Sequence, residues 1–258
     1  MSKLSAKEKF IDLSDYGRPA ASAIAGGFSR TFITPVHVTL MFGVCGLFAS
    51  WLIFKGYYAT AGLFLILKSI LDAADGELAR VKQTPSYTGR YLDSVFDIIL
   101  NFIILFTIQQ VTAQPFWMML LAFASIQLQG TLYNYYYVIL RQKSSGGDKT
   151  SRIFETETPD ALPGEKQWSV TLLFKAYLFF YTLFDRIIYN LDKTAPGSAS
   201  FPKWFMSLLS IYGLGFQLLI IALLLALGLI DWILPFFIWY SSGIVIFIGI
   251  RKIFFLKE

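Results

Sequence analysis

Asp72 and Asp75 lie in a run that is otherwise mostly apolar or small, Leu71-Asp72-Ala73-Ala74-Asp75-Gly76-Glu77-Leu78-Ala79-Arg80. Asp93 and Asp97 follow at the start of the next apolar stretch. Residues three or four apart share a helix face, so these aspartates form two carboxylate pairs. Like charges held this close raise one another's pKa, and a bound cation relieves the conflict. An all-oxygen site without histidine or cysteine suits a hard divalent cation, Mg²⁺ or Mn²⁺. Two such ions shared by the pairs would clamp an in-line phosphoryl displacement. Gly76, Ala79 and Gly89 are small enough for a phosphate or ribose to approach the backbone. Arg80 offers a planar fork for a phosphate oxygen. One pair alone is ordinary at a helix end; two pairs on adjacent apolar segments are not.

The elements that must position these groups read as membrane spans. The 258 residues are 55% hydrophobic and 15% charged, with mean hydropathy +0.57, whereas a soluble domain carries about 25% charged residues. The 17% share of aromatics suits lipid-facing helices and interfacial belts. A bilayer crossing needs about 20 apolar residues. Six segments qualify, near residues 36–54, 59–80, 89–111, 115–140, 205–229 and 232–255. The expected fold is an all-α integral membrane bundle of six transmembrane helices, in one domain spanning residues 1–258. Residues 10–30 mix apolar and charged positions and read as an N-terminal amphipathic interfacial helix. Residues 167–191 are apolar but contain Lys175, Asp185 and Arg186 and read as an interfacial helix, the alternative being a seventh span, which would set the C-terminus against the charge pattern. The stretch 144–166 is polar, with Gly146, Gly147, Pro159 and Pro163, and reads as a loop. The short connection between the second and third spans makes them antiparallel neighbours whose aspartates converge.

Basic residues collect in alternate connections. They are Lys3, Lys7, Lys9, Arg18 and Arg30, then Arg80, Lys82 and Arg90, then Arg141, Lys143, Lys149 and Arg152, and finally Arg251, Lys252 and Lys257. The opposite connections hold little beyond Lys55. The positive-inside rule puts both termini and the active site on the cytoplasmic side. The net charge of +5 is thus a topology signal and not a nucleic-acid footprint. The first thirty residues lack the apolar core of a signal peptide. Cys45 is the one cysteine and reads as a small packing residue.

The full pattern is Asp72-x2-Asp75-Gly76-x2-Ala79-Arg80-x8-Gly89-x3-Asp93-x3-Asp97. Position for position it resembles the signature of the CDP-alcohol phosphotransferase (CDP-alcohol phosphatidyltransferase) family. The resemblance implies a bundle of six membrane helices, usually a homodimer, with a polar cavity facing the cytoplasm. It implies cleavage of a CDP-linked donor, transfer of its phosphoalcohol part to a hydroxyl acceptor, and release of CMP. Asp72, Asp75 and Asp93 would be metal ligands, and Asp97 a ligand and the base that takes the acceptor's proton. Gly76, Ala79, Arg80 and Gly89 would line the cytidine nucleotide site. Ile33-Thr34-Pro35-Val36-His37-Val38-Thr39 looks like the family's approach to its first span, which suggests a contact role for Thr39. The family often has Asn where Val36 stands, which leaves that contact in question.

Chains of this length resemble the members that use CDP-diacylglycerol and a polar alcohol: inositol, inositol phosphate, glycerol phosphate or serine. The alternative branch transfers CDP-choline or CDP-ethanolamine headgroups to diacylglycerol. A membrane prenyltransferase also pairs aspartate motifs, but far apart in a longer chain. A transporter or divalent-cation channel explains the carboxylates but not Gly76, Ala79, Arg80 and Gly89 at their spacings, and no internal repeat is evident.

Other residues carry open readings. His37 suits an interfacial position. Lys68, four residues before Asp72, either pairs with it or reaches a phosphate. Glu77 reads as solvated. Asn134, Arg141, Arg152, Lys175 and Arg186 either form an anion pocket for a phosphorylated acceptor or anchor helix ends. The partners expected are the CDP-alcohol donor, a lipid or polar alcohol acceptor and membrane lipids, with no nucleic acid.

Overall fold

The computed structural model describes residue 4 and residues 8–143, 154–198 and 201–255. Among them there is no strand, and the chain is an all-α integral membrane protein. Its helices are α1 (Arg18–Phe28), α2 (Pro35–Phe54), α3 (Tyr58–Val81), α4 (Tyr87–Thr112), α5 (Phe116–Lys143), α6 (Gln167–Leu191), α7 (Lys203–Leu209), α8 (Leu214–Ala226), α9 (Ile233–Tyr240) and α10 (Ser242–Phe254).

Local chemistry sets the helix ends that matter for the site. Thr34 and exposed His37 cap α2 reciprocally, with the Thr34 N–H donating to His37 Nδ1 at 3.0 Å. Ser86 Oγ accepts from the Gly89 N–H at 2.8 Å and starts α4. Gly56, Gln83 and Ala113 adopt left-handed conformations just past the ends of α2, α3 and α4. Glu165 ties the α5–α6 connection to the start of α4. It accepts from Ser86 Oγ and the Thr88 N–H at 2.7 Å, and from the Leu162 N–H at 3.1 Å. Partial burial raises its pKa, but these hydrogen bonds outweigh burial and hold the carboxyl below its ordinary value.

Four helical runs are long and apolar enough to cross a membrane: α2, α4, α5 and Ile230–Phe254, which contains α9 and α10. The pair Lys203–Tyr212 and Leu214–Ala226, bent by 52°, is a fifth candidate. α3 has 24 residues but carries Lys68, Asp72, Asp75, Glu77 and Arg80, so it fails on composition and not on length. Six spans are reached only by counting it.

The expectation that the two motif helices pack together needs correction. α2 packs on both α3 and α4, while those two make few close backbone approaches to each other. Carboxylate-bearing faces cannot close on one another without water or a cation between them, so a gap stays open where the aspartates point. Small residues let α2 serve as the spacer: a Cβ on Gly43 would lie 2.9 Å from the Phe96 ring, and one on Gly46 2.9 Å from Leu100. On the far side of α3, Gly62 meets the Ala222 carbonyl of α8 just as closely, at 2.8 Å from an added Cβ.

The N-terminal segment is not one helix over residues 10–30. Leu13–Asp15 forms a short 3₁₀ turn, and α1 starts only at Arg18, where Pro19 fits the first turn but could not continue an earlier helix. Ala21 and Ala25 of α1 pack against Leu71, Ala74 and Leu78 of α3. Residues 11–15 instead form a strap across the bundle. The Ile11 N–H donates to Ser207 Oγ at 3.1 Å and the Leu13 N–H to Ser210 Oγ at 2.8 Å. Tyr133 Oη donates to Asp12 Oδ2 at 2.5 Å. Gly213 and Gly215 make room for Ser14; a Cβ on Gly215 would lie 2.0 Å from the Ser14 carbonyl oxygen. Because that obstacle is backbone, Gly215→Ala should expel the strap. Overpacking of this kind costs about 1–3 kcal/mol. Amide hydrogen exchange should rise over residues 11–15 while α2 and α4 stay protected; unchanged exchange in the strap would refute the docking.

α6 starts where Ser169 meets Thr88, at the beginning of α4. It ends where Asp192 meets Tyr135 and Tyr136 of α5 and Arg251 of α10. Arg251, one of the basic residues of the C-terminal segment, is fully buried and ion-paired to Asp192, with Nη2 donating to Thr194 Oγ1 at 2.6 Å.

Candidate active site

Asp72 and Asp75 project from α3 and Asp93 from α4, and each offers a carboxylate oxygen within 4.8 Å of the others. Thr39 of α2 is buried and fixes one of them, donating to Asp75 Oδ2 at 2.7 Å. Thr39 thus reaches the site through Asp75. Asp93 Oδ1 is buried and has no hydrogen-bond partner among the described residues. An unpartnered buried carboxylate oxygen is costly, so the three-carboxylate group fits a divalent cation on its own chemistry.

Asp97 stands outside that group. Lys68, fully buried on α3, donates to Asp97 Oδ1 at 2.5 Å and lies 4.9 Å from the centroid of the Phe42 ring. Of the partners open to Lys68, the nearest is therefore neither Asp72 nor a phosphate but the fourth aspartate. Burying one lysine beside four carboxylates offsets part of their charge.

Two cavities meet at this place. The smaller, of about 200 Å³, is lined by Asp72, Asp75, Asp93, Gly76 and Arg80. The larger, of about 480 Å³, contains Asp72, Asp93 and Asp97, with Asn101 beyond them. Asp72 and Asp93 line both, Asp75 only the smaller, and Asp97 only the larger. The strap residues Asp12, Ser14 and Asp15 form part of the larger cavity's wall.

The nucleotide-site candidates divide. Above Gly76 a Cβ would meet nothing but Arg80 Nη1, at 3.7 Å, so the backbone is open to a ligand. Ala79 is half-buried one turn further along α3. Arg80 is half committed: Nη2 donates to Glu77 Oε2 at 2.6 Å, while Nε is buried with no hydrogen-bond partner among the described residues. Glu77 is thus paired and not merely solvated. Gly89 is covered by its own cap, with Ser86 Oγ 3.3 Å and Val36 3.9 Å from where a Cβ would be.

The acceptor candidates do not gather. Asn134 and Arg141 line the larger cavity, Lys175 and Arg186 are exposed away from it, and Arg152 lies outside the described residues. Arg141 also stacks over the Tyr137 ring, 5.9 Å from its centroid. What the cavity contains instead is a set of neutral groups: Asn101 on α4, Gln127 and Thr131 on α5 and Gln217 on α8. Their signal was available. Asn101 continues the spacing of Asp93 and Asp97, and Gln127, Thr131 and Asn134 form a polar stripe at helical spacing.

No curated protein matches the chain. Residues 32–156, just under half of the sequence and containing all four aspartates, match the family model described as CDP-alcohol phosphatidyltransferase. The motif and the match agree: residues 32–156 are similar to the CDP-alcohol phosphatidyltransferase family.

Proposed function

We propose that the protein transfers the phosphoalcohol group of a CDP-linked donor, CDP-diacylglycerol, to a hydroxyl of a polar alcohol and releases CMP, at the cytoplasmic face of its membrane. The family match supports the general chemistry of CDP-alcohol phosphotransfer. The observation that carries the finer reading is the junction of two cavities at Asp72 and Asp93, with Asp97 on one side only. A two-substrate transfer needs such a junction, since donor and acceptor must meet at one phosphorus. Gly76 and Arg80 receive the nucleotide in the smaller cavity, and the acceptor enters the larger. There Asp97 takes the proton of the acceptor hydroxyl as its oxygen bonds to the phosphorus carrying the donor alcohol. The phosphorus–oxygen bond to the cytidine side breaks, and its electrons leave with CMP. Lys68 holds the Asp97 carboxylate in place for that transfer. A divalent cation, Mg²⁺ or Mn²⁺, held by Asp72, Asp75 and Asp93 supplies positive charge against the diphosphate and the departing CMP, and four carboxylates suffice for two ions. Counting α3 as a span gives six, and the basic connections support a cytoplasmic site. A single domain and a homodimer belong to the same reading and rest on the family resemblance.

Purified protein in lipid should release CMP only when CDP-diacylglycerol and a polar alcohol are both present. Chelation should abolish release, and Mg²⁺ or Mn²⁺ should restore it. Release from CDP-choline with diacylglycerol instead would overturn the donor assignment, and full activity in chelator would overturn the metal assignment.

A further inference from the structure

The wall of the larger cavity beyond Asp97 is made of amides and hydroxyls. Asn101 lies fourteen residues beyond the start of α4, and Gln127 sixteen residues before the end of α5. At about 1.5 Å per residue, both are some 20 Å or more from the polar ends of their helices. Neutral polar side chains this far inside a membrane bundle are normally satisfied by neighbours. Two of the three nearby glutamines obey that rule. Gln129 donates to the Phe237 carbonyl at 3.2 Å and to Ser241 Oγ at 2.9 Å. Gln217 donates to the Ile126 carbonyl and to Gln129 Oε1, both at 3.1 Å. Gln127 does not. It is 7% exposed, it lines the cavity, and its Nε2 is buried with no hydrogen-bond partner among the described residues. An idle buried donor facing a cavity is a group placed for a ligand oxygen.

The charges around the same cavity narrow the ligand. Asp12, Asp15, Asp72, Asp93, Asp97 and Asp185 all line it. Of its cations, Arg18 pairs with Asp15 and Arg90 with Glu155, and Arg141 lies over the Tyr137 ring. Among these charges the neutral groups Asn101, Gln127, Thr131 and Gln217 offer hydrogen bonds to uncharged oxygens, as a polyol presents. We propose that Gln127 is a specificity-determining residue for the acceptor, donating to one of its hydroxyl oxygens, and that the acceptor is an uncharged polyol and not a phosphorylated one. This rests on the two-cavity transferase reading above.

The test uses full-length protein in lipid with saturating CDP-diacylglycerol. Inositol and glycerol are each compared with their monophosphates as acceptors, with CMP release as the readout. A neutral polyol should support release and its monophosphate should not. Gln127→Leu should raise the KM for the polyol about tenfold, the loss of one hydrogen bond, with kcat and the donor KM changed less than threefold. Gln127→Met, apolar but unbranched like glutamine, should behave alike, and both variants should melt near wild type. The polyol alone should raise the melting temperature of wild type more than that of Gln127→Leu. Preference for a monophosphate, or an unchanged polyol KM in both well-folded variants, would overturn the inference and leave the transferase reading intact. Absence of CMP release with every acceptor would overturn both.

Discussion

Asp97→Asn should retain metal and CDP-donor binding and lose turnover by about 10²–10⁴-fold, the range typical of removing a general base. The substitution preserves shape and removes only the capacity to accept a proton. The expectation follows from position: Asp97 lines only the larger of the two cavities, while Asp72, Asp75 and Asp93 converge without it. Asp75→Asn, altering a member of the converged group, should instead weaken metal and donor binding together. Titration of metal and CDP-diacylglycerol, followed by single-turnover CMP release at saturating acceptor, separates the two. Turnover of Asp97→Asn within a few-fold of wild type would show that another group takes the proton. Loss of metal and donor binding as severe as in Asp75→Asn would make Asp97 chiefly a ligand.

Arg251→Met should be among the most destabilising substitutions in the bundle. Arg251 and Asp192 are both fully buried, and Asp192 also accepts from Tyr136 at 2.6 Å. Removing the guanidinium strands a buried carboxylate, which costs about 3–5 kcal/mol. Asp192→Asn combined with Arg251→Met should recover part of the loss, because no buried charge remains. Unfolding in mixed micelles measures both. A single variant within about 1 kcal/mol of wild type would show that the pair is reached by water and contributes little.

The site was legible in the sequence to the extent that local spacing specifies it. Asp72 with Asp75, and Asp93 with Asp97, follow from helical periodicity alone, and so does their placement on two successive helices. The division between Asp97 and the other three was not legible. It depends on which carboxylate Lys68 reaches across the gap, and spacing along α3 suggested Asp72. The gap itself was hidden, since a short connection suggests direct contact between α3 and α4 while the intervening packing of α2 is a long-range fact. Arg251 looked like one more basic residue at a span end, because its partner Asp192 lies 59 positions earlier. Gln127 was passed over for another reason. Amides in an apolar helix, here Gln127 with Gln129 and Asn134, resemble packing until the cavity beside one of them is known.

The strap at residues 11–15 has a consequence for the order of assembly. Its hydrogen-bond partners Ser207 and Ser210 lie 196 and 197 positions further along the chain, and Gly215 lies beyond them. The strap residues therefore have no seat until the ribosome has passed α7 and the start of α8. Contacts of such sequence separation form late, after the closure entropy of the whole intervening chain has been overcome. The aspartates, within 26 residues of one another, can meet much earlier. A nascent chain therefore assembles its acidic cluster before the wall over it is complete, and the larger cavity is among the last parts of the molecule to mature.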